Sequence, residues 1–354
     1  MASLYSILRP LIFMLDAERA HRLAVGALAR FPGLFGEAAA PDILRVQALG
    51  LEFASPIGIG AGFDKHGEAM EGLRRLGFGF VEVGTITPKP QEGNPRPRVF
   101  RLKEDLGVIN RYGFNSEGHL EVRKRLIAAR RKGLAVPLGV NIGANKLSDD
   151  PGGDYVQGIQ RLSGVADYFA VNISSPNTPG LRTLQGRDAL NRLLGRVLEA
   201  RSKLDRHVPV LVKIAPDLSA EARQDIAALV IAHSVDGLIV SNTTIARPDS
   251  LTSKEKAEAG GLSGAPLMDM ATEVLADMYR LTHGRVLLVG AGGVSSGEDA
   301  YAKIRAGATL VQLYTALVYE GPGLIRRIHA ELAELLERDG FASVAEAVGA
   351  DHRS

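Results

Sequence analysis

Cysteine is absent from the 354 residues, and that absence removes disulfides, thiolate nucleophiles, iron–sulfur clusters and Cys-type zinc sites together. Catalysis must then rest on oxygen and nitrogen groups or on a cofactor. The eight histidines, His21, His66, His119, His207, His233, His283, His329 and His352, are scattered, and no pair has HExxH or similar ligand spacing. No metal site is expected. No apolar run approaches the roughly 18 residues that span a bilayer, since Leu11 to Leu15 is cut off at once by Asp16. The net charge of +2 is too small to argue for nucleic acid. A hydrophobic content of 45% with 23% charged residues is that of an ordinary globular chain.

What is present begins with two amphipathic helical patterns in residues 1 to about 36. One carries Leu4, Leu8, Leu11, Ile12 and Leu15, and the other Leu23, Ala24, Ala27 and Leu28, with Phe31, Pro32 and Gly33 ending the second. Arg9, Arg19, Arg22 and Arg30 outnumber Asp16 and Glu18 there, as in a basic interfacial helix pair, although packing on a larger domain needs the same apolar stripes. Glu37 to Asp42 reads as a linker. The expected domains are therefore a helical unit over residues 1–40 and a catalytic domain over 41–354.

Beyond the linker, short apolar runs recur, starting at Ala54, Phe80, Pro137, Tyr168, Pro209, Gly237, Val286 and Leu310. Continuous apolar strands that alternate with helical patterns imply a parallel sheet buried on both faces, and eight such units predict an α/β fold of the (β/α)8 TIM-barrel type. Asn115 or Ser116 is placed to cap a helix running to Gly133, and Ser219 another through Val230. Pro88 to Tyr112 is too rich in proline and arginine to form one helix. Ile43 to Phe53 suggests a hairpin about Leu49 and Gly50 that closes the barrel floor.

In this fold the site lies at the carboxyl ends of the strands. Those ends carry Lys65, Thr85, Asn141, Asn172 with Ser175, Lys213, Ser241 to Thr243, Gly292 with Gly293, and Tyr314 with Thr315. The fourth, within VNISSPNTPGLR (Val171 to Arg182), clusters Asn172, Ser174, Ser175, Asn177 and Thr178. Either a ligand satisfies these groups, at about 1–3 kcal/mol for each one left unpaired, or Pro176, Pro179 and Gly180 make an ordinary turn. VGAGGVSSGEDA places glycines before Ser295, Ser296 and a helix start, which suits a phosphate, with Gly261 and Gly264 also available. Val212 and Ile214 suggest that Lys213 points inward. A buried lysine must be paired or functional, and it could form a Schiff base or stabilise an anionic cofactor.

Several strings are long and chemically unusual: AHRLA at Ala20, GAGFDK at Gly60, TPKPQEGNPRPRVFRL at Thr87, NRYGFNS at Asn110, VNIGANK at Val140, NISSPNTPGLR, LVKIAPD at Leu211, SNTT at Ser241, GGLSGAPL at Gly260 and QLYTALVY at Gln312. In them the chain resembles the class 2, quinone-dependent dihydroorotate dehydrogenases over nearly its whole length. The resemblance implies FMN held by Ala61, Gly62, Thr85, Asn141, Asn172, Lys213, Ser241, Gly264, Gly293, Tyr314 and Thr315. It implies a dihydropyrimidine met by Lys65, Asn110, Arg111, Tyr112, Gly113, Phe114, Asn172, Asn177, Asn242 and Thr243. Ser175 would take a proton from C5 of dihydroorotate while hydride leaves C6 for N5 of FMN, giving orotate in pyrimidine biosynthesis. Lys213 would offset the charge of the reduced ring. Serine is a poor base with no adjacent His or Asp in its motif, so a relay is required, and Thr178 is its nearest candidate.

The resemblance further implies that the N-terminal helices form a quinone tunnel lined at its inner end by His21, Arg101 and Tyr314. They would sit peripherally on the cytoplasmic face of a bacterial inner membrane, with no nucleic acid and no protein partner required. Without residues 1 to 36, flavin reduction would persist and turnover of long-tail quinones would be lost. Class 1 relatives use a cysteine base, which this chain lacks. The competing readings are a Schiff-base lyase or isomerase using Lys213, a serine hydrolase through Ser175 without GxSxG, and a membrane-binding module on an inactive barrel. Arg247 to Glu258 reads as a solvated loop in preference to a lid.

Overall fold

The eight apolar runs each form a strand in the computed structural model, which describes residues 4–353. They are β1 (Ile57–Ile59), β2 (Phe80–Ile86), β3 (Leu138–Ile142), β4 (Tyr168–Asn172), β5 (Val210–Ile214), β6 (Gly237–Val240), β7 (Leu287–Ala291) and β8 (Leu310–Leu313). Each pairs in parallel with the next and β8 pairs with β1, closing a barrel. Every residue of β2 to β6 is buried, as strands packed between an interior and an outer helix layer must be. Inside, large side chains stand where neighbours are smallest. A Cβ on Gly58 would lie 2.3 Å from the Phe80 ring, and one on Gly139 would lie 2.2 Å from Tyr168. Glycine at these positions lets two aromatic rings fill the barrel axis.

The floor is the expected hairpin, Val46–Ala48 with Leu51–Phe53. Leu49 (φ 56°) and Gly50 (φ 70°) are both left-handed, the conformation that a tight two-residue turn between strands demands. Phe53 meets the Phe80 ring edge-on at 5.6 Å and so plugs the barrel from below. Ser219 caps helix Ala220–Ala232 by accepting from the Ala222 amide. Ser116 does not cap its helix as predicted, because Gly118–Arg131 starts two residues later. Its hydroxyl instead accepts from the Thr87 and Gly118 amides and ties the β2 loop to the helix start.

The Pro- and Arg-rich insertion forms two antiparallel strands, Val99–Leu102 and Gly107–Asn110, and Gly261–Gly264 adds a third. This sheet roofs the carboxyl-terminal mouth. The segment from Arg247 to Glu258 is a partly exposed loop fastened to the roof: the Arg247 guanidinium donates to the carbonyls of Lys256, Glu258 and Gly260, Leu251 is buried, and Thr252 and Ser253 bind Asp105.

Helices α1 (Leu4–Ile12) and α2 (Ala17–Arg30) precede the barrel. Asp16 caps α2 through the Arg19 amide at 3.0 Å. α2 lies so close to helix Met70–Arg75 that a Cβ on Gly72 would be 2.5 Å from the Leu28 carbonyl oxygen. α1 is tied to helix Thr315–Glu320 by Tyr5 and Arg9, which donate to the Val318 and Tyr319 carbonyls. Its other side leaves Ile7, Leu11 and Met14 at 65%, 64% and 81% exposure, and Leu34 follows at 80%. The Leu4 side chain lies outside the described part of the structure. No helix among the described residues is long and apolar enough to cross a membrane.

Candidate active site

The strand tips, the roof sheet and the start of α2 enclose one cavity of about 240 Å³. Its lining includes Ala61, Gly62, Lys65, Thr85, Asn110, Tyr112, Gly113, Phe114, Asn172, Ser175, Asn177, Lys213, Ser241, Asn242, Thr243, Gly264, Gly293, Tyr314 and Thr315. His21 and Arg101 line the same space. Residues spread over almost 300 positions of chain thus share one wall, because each strand delivers its last side chains to the same rim.

Two of the sequence-predicted residues stand elsewhere. Asn141 is fully buried behind the wall, where its amide oxygen accepts from Thr85 Oγ1 at 2.6 Å and Asn172 Nδ2 at 3.2 Å. Its amide nitrogen donates to Glu82 at 2.9 Å. Arg111 turns away from the cavity: its guanidinium binds Glu258 at 2.7 Å and covers the Phe100 ring on the far side of the roof. Arg111 follows the end of strand Gly107–Asn110, and alternation along the chain directs it opposite to Asn110 and Tyr112.

Beneath the cavity, Glu82 gathers Asn141, Tyr168 (3.1 Å) and Gln312 (2.7 Å). This buried carboxylate orients the layer that carries Thr85 and Asn172. Nothing in the isolated run FVEVGT marks Glu82 as more than a strand residue, and only closure of the barrel brings its three donors together. Lys213 projects from β5 into this region. Burial pushes its ammonium below the usual lysine range, with Glu82 opposing, and no hydrogen bond satisfies it among the described residues. An anion beside it would favour its ammonium form.

The β4 tip is held by a network that the residue types alone left open. Asn242 donates to Ser174 Oγ at 3.0 Å, and Asn177 Nδ2 donates to the Asn110 carbonyl at 3.0 Å. Arg182 spans the two tips, donating to the Ser174 carbonyl at 2.9 Å, the Thr243 carbonyl at 3.0 Å and Asp217 at 2.9 Å. Among the described residues Ser175 Oγ accepts only from the Asn177 amide, at 3.3 Å. Thr178 Oγ1 is buried with no partner among the described residues, a cost that a ligand, water or proton relay would remove. The turn and the site are one object: Gly180 (φ 74°) reverses the chain while the polar groups face inward.

On the opposite side, Lys65 donates to the Gly62 carbonyl and sits 3.8 Å above the Tyr112 ring. Burial lowers it to about 7, opposed by Glu18. The wall from α2 is mostly apolar. His21 packs against Phe63 and Tyr314, with ring centres 5.1 and 5.8 Å away, and burial holds it neutral with a pKa of about 3. Arg101 donates to the Leu15 carbonyl at 3.0 Å and covers Phe13, so the roof and the turn between the two helices frame one opening.

At the β7 tip, Gly292 and Gly293 have φ of 105° and 86°, and a Cβ on Gly293 would lie 2.4 Å from Met268. Only glycine lets this turn press against helix Met268–Leu281. Ser296 then caps helix Gly297–Arg305; the Ser295 and Gly297 amides donate to Asp299 and Glu331, at 2.8 and 2.6 Å, while Gly293, Val294 and Ser295 border the cavity beside Gly264 and Ser263.

Comparison with known proteins agrees with this geometry. The family model described as dihydroorotate dehydrogenase matches residues 43–336. The chain is 55% identical to the mitochondrial dihydroorotate dehydrogenase (quinone) of Oryza sativa subsp. japonica, an alignment covering 98% of this chain and 80% of the relative. It is 54% identical to dihydroorotate dehydrogenase (quinone) of Rhodospirillum rubrum, covering 100% and 96%. The crystal structure of DHODH from Eimeria tenella in complex with ferulenol superposes with a TM-score of 0.93 at 42% identity, covering 97% of this chain and 99% of that one. The chain belongs to the dihydroorotate dehydrogenase family of flavin-dependent oxidoreductases.

Proposed function

We propose that this protein oxidises (S)-dihydroorotate to orotate in pyrimidine biosynthesis, with FMN as its resident cofactor and a membrane quinone as electron acceptor. The observation that carries the reading is a single cavity lined by two unlike surfaces: the amides and hydroxyls of Asn172, Ser175, Asn177, Asn242 and Thr243, and the surface where Ala17 and His21 of α2 meet Tyr314 and Val318. A polar, anionic ring and an apolar quinone could thus approach the same cofactor from different directions.

The residues present fit FMN. The glycine turn at 292–293 borders one corner of the cavity and offers its backbone amides to a phosphate, whereas the Ser295 and Gly297 amides at the helix start already donate to Asp299 and Glu331. Gly264 and Thr315 close that corner, with Thr315 Oγ1 donating to Ser263 at 2.9 Å. Ala61, Gly62, Thr85, Asn172, Ser241 and Tyr314 border the space for the ring system, and Asn141 would act from behind through Thr85 and Asn172. Lys213, which has no hydrogen bond among the described residues, suits a ring that becomes anionic, because that charge would favour its protonated form. When bound, FMN supplies a two-electron acceptor for the hydride at C6 of dihydroorotate.

The chain's own groups would do the rest. Lys65 pairs with the substrate carboxylate, and Asn110, Asn172, Asn177, Asn242 and Thr243 meet the ring's carbonyl and N–H edges. Ser175 takes the C5 proton and passes it on, with the unpartnered Thr178 hydroxyl as the next acceptor. Arg182 keeps Ser175 in register by tying the β4 and β6 tips. Residues 1–40 would form the quinone-side unit, whose exposed Ile7, Leu11, Met14 and Leu34 enter the membrane interface while His21, Arg101 and Tyr314 border the inner end of the tunnel.

The decisive experiment is spectroscopic. The purified protein should be yellow, should bleach on anaerobic addition of dihydroorotate, and should recover its colour with a quinone but not with fumarate or NAD. A flavin that dihydroorotate cannot bleach, or that fumarate or NAD reoxidises as well as quinone, would overturn the reading.

A further inference from the structure

Where α2 meets the roof, a carboxylate and a guanidinium are buried together behind the cavity wall. Glu18 is 6% exposed and Arg98 is 5% exposed. Their contact is bidentate, with Arg98 Nε 3.0 Å from one Glu18 oxygen and Nη2 2.8 Å from the other. Arg96 adds a contact from the surface at 3.1 Å. Such a pair is a poor source of net stability, because desolvation offsets most of its attraction, yet removal of one partner strands the other charge.

Arg98 does not end at Glu18. Its Nη1 donates to the carbonyls of Glu92 at 2.7 Å and Asn94 at 2.9 Å, shaping the turn in which Gly93 has φ 78°. Asn94 in turn donates through its amide to the Tyr112 carbonyl at 2.8 Å, and through its side chain to the Asn177 carbonyl at 3.1 Å. The Arg98 guanidinium also lies 5.3 Å from the centre of the Tyr112 ring, over which Lys65 sits at 3.8 Å. One arm therefore runs from α2 to the loop that bears Ser175, and the other runs to Lys65.

We propose that Glu18 and Arg98 act as a positioning pair through which the seating of α2 sets the placement of Lys65 and of the Ser175–Asn177 loop, coupling the quinone side of the enzyme to the dihydroorotate side. The proposal rests on the functional reading above. Neither residue touches the reacting atoms. Charge works in the same direction as geometry: burial depresses Lys65, Glu18 opposes that effect and Arg98 adds to it, so loss of the Glu18 charge disfavours the ammonium that substrate needs. On this proposal, removal of residues 1 to 36 weakens the dihydroorotate side as well, because it takes away both α2 and the carboxylate that seats Arg98.

The test uses the full-length holoenzyme with Glu18→Gln, which keeps the shape of the side chain and removes its charge. The dissociation constant for orotate, read from the flavin absorbance perturbation, should rise on the order of tenfold. Half-saturation for anaerobic bleaching should rise with it at unchanged FMN content, and Glu18→Asp should recover most of the loss. If Glu18 merely anchors the helix, thermal stability and quinone turnover fall while orotate binding stays intact, and that result overturns the proposal. A measurement on the unmutated enzyme covers the case in which the variant does not fold. Coupling is reciprocal, so orotate should slow amide hydrogen exchange within residues 17–30, and unchanged exchange there counts against the proposal. Wild-type flavin that dihydroorotate fails to bleach would remove both readings. Normal bleaching with an unaffected variant would remove the coupling alone.

Discussion

Ser175 illustrates how much chemistry a single side chain can hold once its neighbours are known. It is 6% exposed, faces the cavity, and has no imidazole or carboxylate partner among the described residues. His21, the histidine of the cavity wall, packs between aromatic rings on the far side and is held neutral by burial. Ser175→Ala should therefore retain FMN stoichiometrically and slow anaerobic flavin reduction by dihydroorotate by about 10²–10⁴-fold, the usual range for loss of a positioned proton acceptor. Stopped-flow bleaching checks this, and an unchanged rate removes Ser175 from the chemistry. Most of the site was legible from local spelling, since an apolar run ending in Asn, Ser, Thr or Lys is a signature that each strand carries for itself. Arg111 escaped that logic because alternation near a strand end depends on a register no single residue reveals. Glu18 and Arg98 escaped it because charges 80 positions apart give no local sign that they will be buried together.

Strands and helices were readable wherever apolar periodicity was strong. Gly261–Gly264 was not, because a run so rich in glycine spells a turn and becomes a strand only when Gly107–Asn110 supplies a partner. The roof sheet thus combines an insertion read only as too rich in proline and arginine for one helix with a segment whose glycines were read as available to a phosphate. α1 presents the opposite case, where the stripe was plain but its destination was not: Tyr5 and Arg9 dock one side on helix Thr315–Glu320, and Ile7, Leu11 and Met14 remain outside. Each exposed side chain is worth roughly 1.5–3 kcal/mol if buried in an apolar phase. The double substitution Leu11→Glu with Met14→Glu should therefore cut co-sedimentation with lipid vesicles at least about tenfold while dihydroorotate still bleaches the flavin. Undiminished vesicle binding would argue against this face as the docking surface.

The barrel as a whole also encloses groups that no step of the chemistry uses. His119 and His329 are each 2% exposed with both ring nitrogens unpartnered, and burial lowers both to about 4. His329 lies in helix Leu324–Arg338 against Gly77, where the barrel wall and the linker meet. An unfolded histidine titrates near 6.5, so between pH 6.5 and 4 the unfolded chain binds more protons than the folded one. The stability of the neutral buried form is therefore complete above about pH 6.5 and is lost as pH falls toward 4, by at most about 3 kcal/mol for each ring. His329→Leu should lose less thermal stability than wild type between pH 7.5 and 5, measured by the shift in melting temperature. Equal losses in the two proteins would show that His329 does not drive the acid sensitivity.

Linear order carried the barrel, its strand count and most groups able to bind or react, because apolar alternation, glycine turns and polar strand ends are local properties of the backbone. Closure of the sheet settled which groups meet, which charges lose their water and which faces stay bare. Lys213 became a buried amine whose charged form is disfavoured, Glu82 the hub of a buried layer, and Glu18 a partner of Arg98 only when distant segments excluded solvent from the same volume. Desolvation belongs to the packed molecule, and the reactivity of these groups follows from it.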